Sequence, residues 1–148
     1  MEHVVVFIRH GLSEWNRSDR FTGWTDIPLT EAGLNEAAAA GRRLAAAGYG
    51  FDEAHASVLC RTRQTIETLV AAMGLPPLPI AETWRLNERH YGALQGMNKK
   101  EIFAAWLDRF EPGKKELILN RVAEIRGGKL NDSTFGRRMT GSGPLAEQ

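Results

Sequence analysis

The chain has 148 residues, one domain's worth, with 19 Lys and Arg against 18 Asp and Glu and a net charge of +1. So even a balance creates no overall field to gather nucleic acid or an anionic membrane surface, and no apolar run approaches the ~20 residues of a membrane helix. The single cysteine, Cys60, excludes an internal disulfide and a cysteine-built zinc site; it suits a reducing compartment, and a cytoplasmic location is expected.

Residues 4–8 read Val-Val-Val-Phe-Ile. This short, β-branched run predicts a buried strand. It is shorter than a signal-peptide core of about 7–15 residues and lacks a basic start and a cleavage site. It ends in Arg9-His10-Gly11, and the carboxyl ends of parallel strands are where α/β proteins place ligands. Thr30-Glu31-Ala32-Gly33 opens a helix running from Leu34 to Ala47, which Gly48-Tyr49-Gly50 ends. A second strand is expected within residues 51–59. Arg61 then stands at a helix start, a position that favours phosphate. That helix, residues 62–73, has Ile66, Leu69, Val70 and Met73 on one face. Gly74 stops it, and Pro76-Pro77 block its continuation. Residues 78–81 predict a third, edge strand, and Asn98 caps a helix over residues 99–110. The order strand, helix, strand, helix, strand predicts an α/β fold, a parallel sheet flanked by helices in three layers.

Two stretches carry more than secondary structure. One runs Arg9-His10-Gly11-Leu12-Ser13-Glu14-Trp15-Asn16, then Arg20-Phe21-Thr22-Gly23-Trp24-Thr25-Asp26 and Pro28-Leu29-Thr30-Glu31-Ala32-Gly33. The other is Trp84-Arg85-Leu86-Asn87-Glu88-Arg89-His90-Tyr91-Gly92-Ala93-Leu94-Gln95-Gly96-Met97-Asn98-Lys99. Together they resemble the histidine phosphatase superfamily and, within it, the cofactor-dependent phosphoglycerate mutases. The resemblance implies a phosphohistidine enzyme with His10 as nucleophile, Arg9 and Arg61 as phosphate-pocket arginines and Glu88 as proton donor. It implies substrate contacts at Asn16, Thr22, Gly23, Arg89, Tyr91 and Lys99, a 2,3-bisphosphoglycerate primer, a small phosphorylated substrate and no metal. The chemistry suits these residue types. An imidazole can take a phosphoryl group covalently, guanidiniums neutralise phosphate oxygens, and a carboxyl group can shuttle the hydroxyl proton.

Each position has a plainer reading. His10 could be a packed histidine at a strand end. Arg63 reads as a surface charge. Glu88, among Arg85, Arg89 and His90, reads as a surface ion-pair cluster. Lys99-Lys100 is a solvated pair, and Trp15 and Trp24 pack or wall a pocket.

From about Trp106 the motifs stop. The resemblance calls for a second, C-terminal histidine beside His10, yet the histidines are His3, His10, His55 and His90. The expectation is therefore a mutase-like core over residues 1–105, incomplete at its C-terminal side, joined to an unrelated segment over 106–148. In that segment Leu117, Ile118, Val122 and Ile125 suit one helix face ending at Gly127-Gly128. Residues 129–141 are basic and glycine-rich, read as a flexible tail. The tail weakly resembles the C-terminal tail of some radical S-adenosylmethionine proteins, without their cysteine cluster. Gly127-Gly128-Lys129 lacks the leading glycine of a phosphate loop. Three functions are carried forward: an impaired phosphoglycerate mutase, a phosphatase of small phosphoesters, and a non-catalytic remnant. A missing strand would leave an edge and apolar surface wet, so self-association or homo-oligomerisation is expected.

Overall fold

A computed structural model describes residues 4–127, with side chains described to residue 122. His3, Gly128, the basic segment at 129–141 and the side chain of Ile125 lie outside the described residues. The chain divides into two compact units, Ile8–Ile102 and Met1–Phe7 with Phe103–Gln148.

The first unit is α/β. Helix α1, Glu14–Arg17, escaped the sequence reading because it is a single turn. Ser13 caps it, its Oγ accepting from Asn16 N at 3.2 Å and donating to Asn16 Oδ1 at 2.7 Å. Helix α2, Glu31–Ala46, is capped as expected by Thr30, which accepts from Gly33 N at 3.0 Å. Strand β1 is Ala54–Ala56, helix α3 is Cys60–Ala72 and strand β2 is Ile80–Glu82. The strands pair in parallel, Ala54 with Ile80, His55 with Ala81 and Ala56 with Glu82. This is a β-α-β crossover, the unit a parallel pair requires. α2 packs on α3 closely enough that a Cβ on Gly41 would stand 2.3 Å from Leu69 O. Side chains would separate the two helices.

Two expectations change. The stripe that α3 buries is Arg61, Thr65, Leu69 and Val70, with Ile66 and Met73 only half-buried. Its first two turns are thus buried through polar groups, which an apolar-periodicity reading overlooks. Residues 4–8 form no strand: Val4 is 63%, Val5 73% and Phe7 83% exposed. The sequence has strand character, but a strand exists only with a ladder partner and a face to bury. Among the described residues none pairs with it, so the described sheet has two strands rather than three.

Beyond the sheet, a 3₁₀ turn at Trp84–Leu86 and another at Gly92–Leu94 shape the Asn-Glu-Arg-His-Tyr segment. Helix α4, Lys99–Leu107, is capped by Asn98 Oδ1, which accepts from Lys100 N at 2.9 Å. It ends short of the expected residue 110. Helix α5, Pro112–Gly127, begins on a proline, which is tolerated in a first turn but would clash with the carbonyl four residues earlier in a continuous helix. The expected apolar face of α5 is not a buried set, since Leu117 is 70% exposed. Among the described residues no helix is long and apolar enough to cross a membrane.

Candidate active site

His10 stands where residues 8–11 meet α2 and α3. Gly11 and Gly33 make the approach possible: a Cβ on Gly11 would lie 2.3 Å from Gly33 O, and one on Gly33 would lie 2.2 Å from Leu12 O. The turn is then tied down from both helices. Gly11 N donates to Thr65 Oγ1 at 3.3 Å, Leu12 N donates to Glu36 Oε2 at 3.0 Å, and Thr30 N donates to Leu12 O at 2.9 Å.

The imidazole itself is defined. Nδ1 lies 2.8 Å from Gly11 O. A carbonyl only accepts, so in the neutral ring Nδ1 carries the hydrogen and Nε2 presents a lone pair. Burial lowers the His10 pKa below its ordinary 6.5; Arg61 and Arg9 push the same way, against the Gly11 hydrogen bond and Glu88. The ring is therefore neutral near pH 7, the form that can attack phosphorus.

Arg61 is 1% exposed. Its NH1 donates to Thr25 O at 3.0 Å, and its NH2 donates to Gly23 O at 2.8 Å and to Glu88 Oε2 at 3.3 Å. Three of five N–H groups thus serve the protein. Among the described residues the buried Nε has no partner, and neither does the buried Thr22 Oγ1. Glu88 pairs with Arg61 from α3, not with its neighbours Arg85 and Arg89 as a sequence-local cluster would. Its backbone is held by Trp24, whose Nε1 donates to Glu88 O at 2.7 Å. Trp24 N in turn donates to Gln95 Oε1 at 2.9 Å. Burial raises the Tyr91 hydroxyl above its ordinary pKa, with the charge of Glu88 and a hydrogen bond to it adding, and Arg89 opposing. The Arg89 guanidinium lies 5.4 Å from the centre of the Tyr91 ring.

His10, Arg9, Arg61 and Glu88 are therefore brought within electrostatic reach of one another; Gly23 joins them through Arg61, Tyr91 through Glu88, and Arg89 through Tyr91. Asn16 and Lys99 make further contacts. Asn16 Oδ1 belongs to the α1 cap, and Lys99 Nζ lies 5.9 Å over the Phe21 ring. Arg63 is a surface charge paired with Glu82 at 3.2 Å. The amino end of α3 is filled: Leu59 offers no side-chain cap, and Asp26 Oδ1 accepts from Cys60 N at 2.7 Å. That helix end is not the open phosphate seat its sequence position suggests. Burial, together with Asp26, pushes the Cys60 thiol up to about 11, so it is a poor nucleophile. The site contacts of Thr65, Gln95 and Asp26, and the tether that Trp24 makes beyond walling a pocket, carry no local sequence mark. Each acts through a backbone partner distant in sequence, for which a single sequence holds no signal. A groove of about 500 Å³ lined by residues such as Arg63, Ile66, Val70, Leu78 and Ile80 includes neither His10, Arg9, Arg61 nor Glu88. Among the described residues no cluster of three His, Cys, Asp or Glu is arranged to hold a metal.

The arrangement — a neutral imidazole, buried and surface guanidiniums, and a carboxylate — coincides with a known pattern. The sequence profile of the histidine phosphatase superfamily (branch 1) matches residues 5–132. The chain belongs to the histidine phosphatase superfamily. The match runs past residue 106, where the recognisable motifs stop. The chain is 49% identical over 131 residues to the 2,3-bisphosphoglycerate-dependent phosphoglycerate mutase of Borrelia garinii subsp. bavariensis, covering 88% of this chain and 51% of that protein. It spans about half the length of the curated relatives it matches. Among solved structures it is similar to a phosphoglycerate mutase from Bacillus anthracis, with a TM-score of 0.60 at 26% identity, covering 65% of this chain and 41% of that one. It is also similar to Bacillus stearothermophilus YhfR, with a TM-score of 0.56 at 35% identity, covering 64% and 44%. These superfamily structures share the α/β arrangement found here.

Proposed function

We propose that this chain carries the phosphoryl-accepting site of a phosphoglycerate mutase, exchanging phosphate between the 2- and 3-hydroxyls of glycerate through phospho-His10. The observation that carries the proposal is the His10 ring, whose Nδ1 is held by Gly11 O so that Nε2 presents its lone pair, beside a buried Arg61 whose Nε lacks a partner among the described residues. The mutase names of the half-length relatives support the choice of substrate.

The residues present fit an anionic primer. Among the described residues Arg61 Nε and Thr22 Oγ1, with Asn87 Oδ1, are buried polar atoms without a partner, and Arg9 and Arg89 add exposed cationic groups. In this reading a bound 2,3-bisphosphoglycerate supplies the phosphoryl group, held by Arg9, Arg61, Arg89 and Thr22. Nε2 of His10 would take the phosphoryl group as the P–O bond to the glycerate oxygen breaks, that oxygen gaining a proton from the Glu88 carboxyl, while Gly11 O holds the hydrogen on Nδ1. Phosphoryl transfer asks mostly for positioning and charge neutralisation. Arg61 supplies charge from a fixed position, since its other N–H groups are bound to Gly23, Thr25 and Glu88. Glu88, paired with Arg61 and bonded to Tyr91, gives and takes the proton of the substrate hydroxyl. The location is expected to be cytoplasmic.

A second reading is hydrolysis of small phosphoesters. Glu88 has 37% of its side chain exposed, so water can reach the carboxylate that would activate it. Incubation with labelled 2,3-bisphosphoglycerate, with mapping of the label, tests both. Label on His10 that passes to added phosphoglycerate is the expected result; label released as phosphate supports hydrolysis. Label retained by His10→Ala protein, or no label on the wild type, overturns the proposal.

A further inference from the structure

Thr65 lies one turn after Arg61 in α3 and is 3% exposed. Its hydroxyl donates to Arg61 O at 2.7 Å, a common local bond for a helical threonine. The same oxygen accepts from Gly11 N at 3.3 Å, across 54 positions of sequence. One hydroxyl can do both, since donating its hydrogen leaves lone pairs to accept. Gly11 is also the residue whose carbonyl fixes His10 Nδ1. A single buried oxygen therefore joins the turn that presents the imidazole to the turn that presents the buried guanidinium. The other amide tether of this turn, Leu12 N to Glu36, is exposed, and solvent can replace it. Gly11 also packs against Gly33, where a Cβ would lie 2.3 Å from Gly33 O, so the turn has little slack.

We propose that Thr65 is a positioning residue that sets His10 against Arg61. The inference rests on the reading of His10 as phosphoryl acceptor, and it names the group that keeps that acceptor in register with the phosphate-holding cation. Because small misplacements of reacting groups cost as much as 10²-fold in rate, a shared tether of this kind governs the site without touching substrate.

The test compares Thr65→Val, which keeps the shape and loses the hydroxyl, with Thr65→Ser, which keeps the hydroxyl. Two quantities are read on the full chain: the titration midpoint of the His10 ring by NMR, and the affinity for vanadate. The charged groups facing that ring are Arg9, Arg61 and Glu88. In Thr65→Val the His10 midpoint should rise toward the ordinary 6.5, as the ring gains solvent and moves from Arg61. Vanadate affinity should fall about tenfold. Thr65→Ser should restore both. Thr65→Val with the wild-type midpoint would overturn the inference, as would Thr65→Ser behaving like Thr65→Val. If Thr65→Val does not fold, Thr65→Ala carries the same expectations. The titration decides the role of Thr65 whether or not His10 accepts phosphate, so failure of labelling would refute the functional reading separately.

Discussion

Replacing Arg61 with lysine keeps the charge and should still damage the protein. Arg61 NH1 and NH2 reach two backbone carbonyls, Thr25 O at 3.0 Å and Gly23 O at 2.8 Å, and also Glu88 at 3.3 Å. The side chain is 1% exposed while that of Glu88 is 37% exposed, so the ion pair adds at most about 1 kcal/mol. The carbonyl bonds dominate. A hydrogen bond from a charged donor contributes roughly 1.5–3 kcal/mol, and a buried group left without a partner costs about 1–3 kcal/mol. A single Nζ cannot reproduce the planar spread of NH1 and NH2, so one carbonyl is orphaned. We expect Arg61→Lys to lose about 2–4 kcal/mol of stability, a large share of the 5–15 kcal/mol typical of a domain. Urea unfolding followed by tryptophan fluorescence would read this as a lower midpoint at unchanged slope. Vanadate affinity should fall alongside. A loss under about 1 kcal/mol with unchanged vanadate binding would mean that Arg61 is no more than a paired surface charge, and the site as described would be wrong.

Other consequences are as direct. Gly33→Ala would place a Cβ 2.2 Å from Leu12 O and 2.7 Å from Leu12 N; backbone must move, so stability should drop by roughly 1–3 kcal/mol or more, and a thermal midpoint equal to wild type would refute the close approach. Trp24→Phe removes the 2.7 Å bond to Glu88 O and should cost about 0.5–1.5 kcal/mol while raising the mobility of Glu88; unchanged backbone amide exchange over residues 87–89 would count against it. The pH dependence has a definite sign. The folded His10 pKa lies below 6.5, so the unfolded chain binds the proton first as pH falls. Stability contributed by neutral His10 is present above 6.5 and is lost as pH drops from 6.5 toward the folded value. His10→Ala should flatten the stability profile over that window, and an unaltered slope would show that the ring is not buried neutral.

Sequence alone determined what depends on neighbours a few residues away. Thr30 before an alanine-rich run gave the α2 cap, Asn98 gave the α4 cap, and Gly74 with Pro76 bounded α3. The Arg9-His10-Gly11 and Asn87-Glu88-Arg89-His90-Tyr91 strings marked the family, because runs of chemistry-bearing residues in fixed order are long enough to be specific. Tertiary structure alone decided the rest. Glu88 pairs with Arg61 rather than with its sequence neighbours, because the Gly23–Trp24 turn and the indole of Trp24 hold its backbone against α3. Arg61 spends most of its fork on Gly23 and Thr25, which no spacing rule could reveal. Thr65, read as one residue of a helix, is the oxygen that joins Gly11 to Arg61. Residues 4–8 have every local mark of a strand and yet form none among the described residues. Periodicity and propensity are properties of a segment, whereas a ladder, a buried ion pair or a shared hydroxyl is a property of two segments, and chain folding decides which two meet.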